Sequence, residues 1–507
     1  MPTLSILFPQ EDLRLSSQEP ASFHDLALDQ FVDAVTAGRE QYELRPYFCT
    51  QPHSVQTIDY RQEVFRDLDG QPALDTVTAF GEQMRAMRQH LGQLAKVRYR
   101  YQRAAWFRDA VERYCRAVGE LFRALAATEL SSAGLRSFRT YLDEYTRSAD
   151  FCTMQDESSA LKETLADVRY CLHINGDRIR VSNYDGQADY SETVEQTFRR
   201  FQQGAVTEHR IKLSASSFMN HVEEEIVDRV ALVQPDVFAT LDAFPRRWEH
   251  FLDPTVARFD REAQFYLSYL AYIAPLRAAG LPFCYPKVSA SKQVSAQSTF
   301  DLVLAGNLVR DGGTVVGNDL ELRAGERIFV VSGPNQGGKT TFARTFGQLH
   351  TLAGLGLLVP GTSARMFLFD QVFTHFEREE KVTDLRSKLE DDLMRVHDIL
   401  GHATAASILI LNEVFTSTTL HDARNLGERV LRQILDLDLL CVYVTFVDEL
   451  TTLDERVVSM VSTVDPDDPA TRTYRVLRQP ADGLAHAVAI AEKYRLTFAQ
   501  LQQRLAR

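Results

Sequence analysis

The sequence predicts a chain of mixed class, in which a mainly helical region carrying one small β-hairpin precedes an α/β domain. Three observations carry that reading. From about residue 22 to 280 the apolar residues recur at helical spacing, and glycine and proline are sparse. After a turn-rich junction at 281–300 the text changes to short runs that are apolar along their length, at 327–332, 408–411 and 440–445, as in strands covered on both faces by helices. The first of these runs opens directly into a glycine-rich loop and a helix, GPNQGGKTTFARTF. The expected division is 1–285 for the helical region and 286–507 for the α/β domain.

In the helical region Leu91, Leu94 and Val97 are followed by Ala105, Val111 and Leu121 among many Arg, Gln and Glu. Charge on several sides suits long, partly solvated rods, a core with a lever or arm, better than one compact bundle. Within it YCLHINGDRIRV, at 170–181, sets two β-prone runs around Asn175 and Gly176. That dipeptide readily adopts the positive φ angles of a tight turn, so a hairpin is expected there.

With 507 residues and about 150 per domain, some three units with sizeable cores are expected. Apolar residues at 45% and charged residues at 25% match ordinary globular usage and argue against extended disorder or a membrane-embedded chain. The N-terminus has no basic stretch before an apolar run, and no later segment offers ~18 uncharged apolar residues, so a cytoplasmic location without a membrane partner is expected. The six cysteines are scattered, with no Cys-x-x-Cys pair to hold zinc. A net charge of -13 means that a polyanionic partner would be held by a local basic surface and not by the overall field.

The glycine-rich loop has Gly333, four residues, then Gly338, Lys339 and Thr340, the spacing of a P-loop. Such a loop curls main-chain N–H groups around phosphate at the N-terminus of a helix. Lys339 would reach the outer phosphates and the Thr340 hydroxyl would ligate Mg²⁺. The nucleotide-binding set is Gly333, Pro334, Asn335, Gly337, Gly338, Lys339, Thr340 and Thr341. Downstream, SILILNEVF ends a buried strand with Glu413, the position of a hydrolytic base. Asn412 stands where an aspartate would hold the metal shell, and acts on the metal through a water molecule without adding charge.

With GPNQGGKTT, LRSKLEDDLMRVHDIL, LNEVFTSTTLHDA and VTFVDEL in that order, the C-terminal part resembles the ATPase domain of MutS-type DNA repair proteins. The resemblance implies an α/β P-loop NTPase head of the ABC type, with ATP and Mg²⁺ as cofactors. It implies a homodimer in which each site borrows groups from the opposite subunit, Ser387 closing the partner's site and Thr418, Thr419 and Asp422 coupling the two. Read from the residues alone, Ser387 is equally the N-cap of a helix whose buried face is Leu389, Leu393, Val396 and Leu400, and Asp422 is equally the N-cap of a helix over 423–435. Glu413 and Lys339 take the catalytic roles. The ending TYRVLRQPADGLAHAVAIAEKYRL, with Gly483 and His486, resembles the family's closing strand and helix, and the region before 285 resembles its core and lever more loosely.

Two residues depart from the family pattern. Asn412 replaces an aspartate, and Phe446 occupies the switch-histidine position after Thr445. Phenylalanine cannot hydrogen-bond a phosphate or a water, so slow hydrolysis is expected unless His421 or Asp448 substitutes. The base-stacking aromatic has no counterpart in TVVGNDLEL. A MutS-like chain without the N-terminal mismatch-recognition domain and without a C-terminal nuclease extension is expected, and Phe80, although followed by Gly81 and Glu82, is expected to pack within a helix.

DNA contacts are expected from Lys96, Arg98, Arg100, Arg103, Arg108 and Arg113, interleaved with Tyr99, Tyr101, Trp106 and Phe107, and from Arg178 and Arg180 in the hairpin, with Arg199 and Arg200 nearby. The same pattern fits a solvated basic helix face with its aromatics in the core. The function expected is an ATP-dependent protein that binds branched or irregular DNA by closing its heads, in repair or recombination, with a downstream repair nuclease as a further partner. The rival is a nucleotide-gated scaffold of weak ATPase activity that binds protein or RNA.

Overall fold

The computed structural model describes residues 4–10, 14–176, 178–187, 218–376, 388–465 and 471–481, with single residues at 193, 197, 467 and 502. By packing, the chain divides into two compact units: Met1–Gln71 with Ser131–Leu135 and Arg261–Arg507, and Pro72–Leu130 with Arg136–Asp260. That distribution differs from a single cut at 285, because helical segments before 72 and after 260 are anchored in the α/β unit by buried polar groups. The Arg61 guanidinium, fully buried, donates to Leu7 O at 3.2 Å and Leu355 O at 2.9 Å, and Gln348 Nε2 donates to Leu26 O at 2.9 Å. Periodicity reports that a helix has a buried face but not which element covers it.

The unit built around 72–260 is helical, with the helices Gln71–Leu94, Arg100–Ala127, Ala149–Ala166, His221–Val233 and Pro235–Arg247. Phe80 is 2% exposed and lies 5.9 Å from Phe259, which stacks on Phe138, so it packs within the helices as its surroundings predict. The hairpin forms from β1 (Tyr170–Asn175) and β2 (Arg178–Asn183). Its register pairs Asn175 with Arg178, so Asn175 ends the first strand and the turn starts after it, one position later than expected, with Gly176 at φ +61°.

The α/β unit contains β3 (Phe283–Cys284), β4 (Lys287–Ser289), β5 (Val294–Thr299), β6 (Asn318–Leu322), β7 (Ile328–Ser332), β8 (Val359–Pro360), β9 (Ser363–Phe367), β10 (Val372–Phe376), β11 (Ile408–Asn412), β12 (Leu440–Val444), β13 (Val457–Val464) and β14 (Arg472–Arg478). Six of them form one sheet in the order β10-β11-β12-β7-β13-β14, parallel except for β14. β4, β9, β5 and β6 make a second sheet, and β3 pairs with β8. Every residue of β7, β11 and β12 is buried, as their unbroken apolar text requires of strands covered on both faces.

One face of the main sheet packs Leu409, Leu411, Cys441 and Tyr443 against Val396 of the helix Lys388–His402 and Leu431 and Ile434 of the helix Leu420–Asp436. On the other, Phe329 meets Phe342 and Phe346 of the helix Lys339–Gly354 edge to face, with centroids 5.8 and 5.9 Å apart. Burying each such ring stabilises the fold by about 2–3 kcal/mol. The loops after β7 and β11 both leave the carboxyl ends of parallel strands, where α/β sheets open their crevices.

Candidate functional site

The turn from β7 into the helix Lys339–Gly354 is glycine-rich for reasons that the packing makes explicit. Gly333 has φ +112° and Gly338 φ +96°, both in the left-handed region. Gly337 has an ordinary φ, but a Cβ there would collide with the Ser462 hydroxyl, which donates to Gly337 O at 2.7 Å. Ser462 lies on β13 and is 1% exposed, so a residue far along the chain clamps the loop from below.

Gly338 is the N-cap of the helix and no side chain accepts from its first-turn amides. A helix end of that kind presents N–H groups and a partial positive charge to an anion. Lys339, 4% exposed, donates to Gly333 O at 2.8 Å and to Asn335 Oδ1 at 3.1 Å, folding over the loop. Its amine lies 3.6 Å from Glu413 Oε1. Burial pushes the Lys339 ammonium below its ordinary pKa; Glu413 and Asp448 oppose that shift and the Arg472 charge adds to it. Arg472 Nε donates to Asn335 O at 3.2 Å. Thr340 donates to Asn412 Oδ1 at 3.0 Å, which sets the two expected metal-shell residues side by side. Thr341 is half-buried one residue further along the helix.

Pro334 completes the loop, and the expected set from Gly333 to Thr341 is thus brought together with Asn412 and Glu413. The glycines clear space for a phosphate chain, the uncapped amides and Lys339 supply positive charge, the Thr340 hydroxyl is a neutral oxygen ligand of the kind Mg²⁺ takes, and the Asn412 amide beside it can hold a metal-bound water. The residues present therefore fit a magnesium nucleotide. Glu413 is held with φ +55° directly after β11, its N–H bonded to Val444 O at 3.0 Å.

Other expectations are placed differently. Ser387 lies outside the described residues, as do Arg199, Arg200, Gly483 and His486. In the helix that follows Ser387, Val396 is buried, but Leu393 is 38% exposed and Asp392 takes the inward position at 7%. The helix after β11 begins at Leu420, and its N-cap is Thr419, whose hydroxyl accepts from Asp422 N at 3.2 Å. The Asp422 carboxylate accepts from Thr419 Oγ1 at 2.9 Å and Thr418 Oγ1 at 3.3 Å, so it braces the cap instead of being the cap. Phe446 is 45% exposed. His421 is turned to an exposed contact with Asn425 at 3.1 Å, whereas Asp448 acts on the field at Lys339.

Tyr474 was missed. It stands on β14 with φ +58° and 54% exposure, and its carbonyl lies 3.6 Å from where a Gly338 Cβ would be, so its main chain borders the glycine-rich loop. Its only sequence signal is a tyrosine in a polar closing strand.

Among the proposed DNA-contacting cations, Lys96, Arg98, Arg100, Arg103, Arg113, Arg178 and Arg180 are exposed, whereas Arg108 is only 7% exposed and turned to Glu112 at 2.9 Å, so it does not present its charge to solvent. Arg100 lies over the Tyr101 ring at 4.3 Å and 3.7 Å from Asp228. The aromatics between them turn inward: Tyr99 donates to Asp228 Oδ1 at 3.1 Å, Tyr101 packs on Phe238, and Trp106 stacks on His90. Cations outward and rings inward is the arrangement of a solvated basic face. On the hairpin, Arg178 and Arg180 share one face with His173.

Comparison with known proteins adds to this geometry. The family described as MutS domain V matches residues 329–495, which takes in the phosphate loop, Asn412, Glu413 and Phe446. Over this part of its length the chain is similar to MutS proteins. A DNA mismatch repair protein MutS from Lactobacillus delbrueckii is 25% identical over 205 residues, 39% of this chain and 24% of that protein. The corresponding protein from Zymomonas mobilis is 32% identical over 159 residues, 31% of this chain and 18% of that one. Endonuclease MutS2 from Gemmatimonas aurantiaca is 29% identical over 199 residues, 39% of this chain and 24% of the relative. The chain thus spans no more than a quarter of the length of these relatives. Among the described residues no helix is long and apolar enough to cross a membrane.

Proposed function

We propose that this chain is an ATPase of the MutS type that binds branched or irregular DNA, with ATP driving two copies to close their α/β heads on one another. The observation that carries the reading is the uncapped N-terminus of the helix Lys339–Gly354, enclosed by Gly333, Gly337 and Gly338 and faced by Lys339 and Glu413. The MutS domain V match and the DNA mismatch repair relatives support the repair context.

In this reading the loop amides and Lys339 hold the phosphate chain and offset charge that develops as the outer phosphoryl group is transferred to water. Mg²⁺, held by Thr340 and through water by Asn412, supplies further charge neutralisation when bound. Glu413 orients the attacking water and takes its proton. Tyr474 offers a ring for the base. Ser387 and the Thr418–Thr419–Asp422 brace meet the opposing copy, and the exposed cations of the helical unit meet DNA phosphates.

The test is titration calorimetry with ATP and Mg²⁺ together with filter binding of linear, mismatched and four-way-junction DNA across a salt series. Lys339→Ala is expected to weaken nucleotide binding about a hundredfold, and DNA retention to fall steeply with salt and to change with ATP. Unchanged nucleotide affinity in that variant defeats the loop assignment. A nucleotide-gated scaffold is the second reading, favoured by Asn412 and the exposed Phe446, and ATP binding without DNA retention at low salt selects it.

A further inference from the structure

The turn that carries Glu413 is strained in two places. Glu413 and Phe415 both adopt left-handed backbone angles, φ +55° and +63°, which are strained for residues other than glycine. Such a turn persists only where its surroundings hold it. Glu413 N is tied to the end of β12 through Val444 O, and two residues later Phe415 N donates to Asp392 Oδ2 at 3.1 Å. The other oxygen of Asp392 is bonded to His375 Nε2 at 2.8 Å. All three groups are buried, and Asp392 sits on the inward face of its helix where an apolar residue is the ordinary choice.

The bond between His375 Nε2 and Asp392 Oδ1 needs one shared proton, which fixes the ring against the carboxyl group. His375 Nδ1 is buried with no hydrogen-bond partner among the described residues. Leaving a buried ring nitrogen unpaired is unfavourable, as is burying a carboxylate, and packing alone would be served better by apolar side chains at both positions. What the pair achieves is a fixed anchor for the Phe415 amide, and hence for the backbone that aims Glu413. Asp392 also belongs to the helix Lys388–His402, whose first residue directly follows Ser387.

We infer that the buried His375–Asp392 pair is a positioning unit for Glu413, which ties the aim of that carboxylate to the seating of the helix Lys388–His402. The inference rests on the reading of Glu413 as the hydrolytic base.

The test uses the full chain. Asp392→Ala is expected to lower kcat at least thirtyfold while the affinity for a fluorescent ATP analogue stays within threefold, since a small misplacement of a reacting group is enough for such a loss. His375→Leu is expected to lower kcat about tenfold, and His375→Gln, which keeps a donor, to recover most of it. Hydrogen exchange at the Phe415 amide, read by NMR or fragment mass, should quicken at least tenfold in Asp392→Ala while β11 amides keep their protection. Unchanged kcat, equal losses in kcat and nucleotide affinity, or an unchanged Phe415 amide would each overturn the proposal. If Glu413→Gln turns over like the parent, the base reading fails instead, and the exchange measurement still decides whether the pair holds the turn.

Discussion

Buried polar groups are handled differently in the two units. In the helical unit they pair off where they lie. Asp260 meets Arg88, Arg108 meets Glu112 at 2.9 Å, and Tyr114 and Tyr145 share a hydrogen bond of 3.0 Å, each cluster inside helix packing. In the α/β unit Lys339, Thr340, Asn412 and Glu413, buried or half-buried, instead converge where β7 and β11 end, beside a helix N-terminus that no side chain caps. Self-contained pairs are architecture. Convergence on an unsatisfied helix end marks a place where a ligand completes the set.

The sharpest way to break that comparison is Glu413→Gln. It should lower turnover about a thousandfold and leave nucleotide affinity nearly unchanged, checked by phosphate release and by calorimetry. Persistence of turnover would make Glu413 one more structural partner of Lys339.

The next effect belongs to the helical unit. Burial raises the Asp260 carboxyl to a pKa of about 6, only partly offset by Arg88. The folded state therefore holds that proton more tightly than the unfolded chain, whose ordinary value is 3.8. The associated stabilisation is complete below pH ~4 and is lost as the pH rises through 6, a change of roughly 2–3 kcal/mol from this group. Unfolding followed by circular dichroism should show that slope between pH 4 and 7 in the parent and a shallower one in Asp260→Asn. Identical slopes would mean that Arg88 satisfies the charge fully.

The smallest effect probes Asn412. Asn412→Asp places a charge beside Thr340 and should lower the Mg²⁺ concentration needed for half-maximal turnover several-fold, on the order of 1 kcal/mol. An unaltered magnesium dependence would remove Asn412 from the metal shell.

What was legible in the sequence follows chain locality. Residues 333–341 form one contiguous loop whose spacing reflects a single local geometry, and Asn412 and Glu413 end a run that reads as a buried strand. Phe80 was assigned to packing from its helical surroundings. Asp392 escaped notice because the apolar stripe was drawn through Leu393, one residue on, although an aspartate three residues after Leu389 and four before Val396 lies on the same face. Ser462 and Tyr474 reach the loop from strands more than a hundred residues later in the chain, and nothing in their local text points there.

By itself, then, the sequence determined the elements whose information is local: the phosphate loop, the unbroken apolar strands, the hairpin and the helical periods. Tertiary structure alone decided that segments on either side of the helical unit join the α/β core, that Ser462 clamps Gly337, and that His375 and Asp392 hold the turn bearing Glu413. The reason is physical. Backbone angles and solvent-facing periodicity are set by neighbours a few residues away, whereas a buried hydrogen bond between distant residues exists only once the sheet order has brought its two partners together.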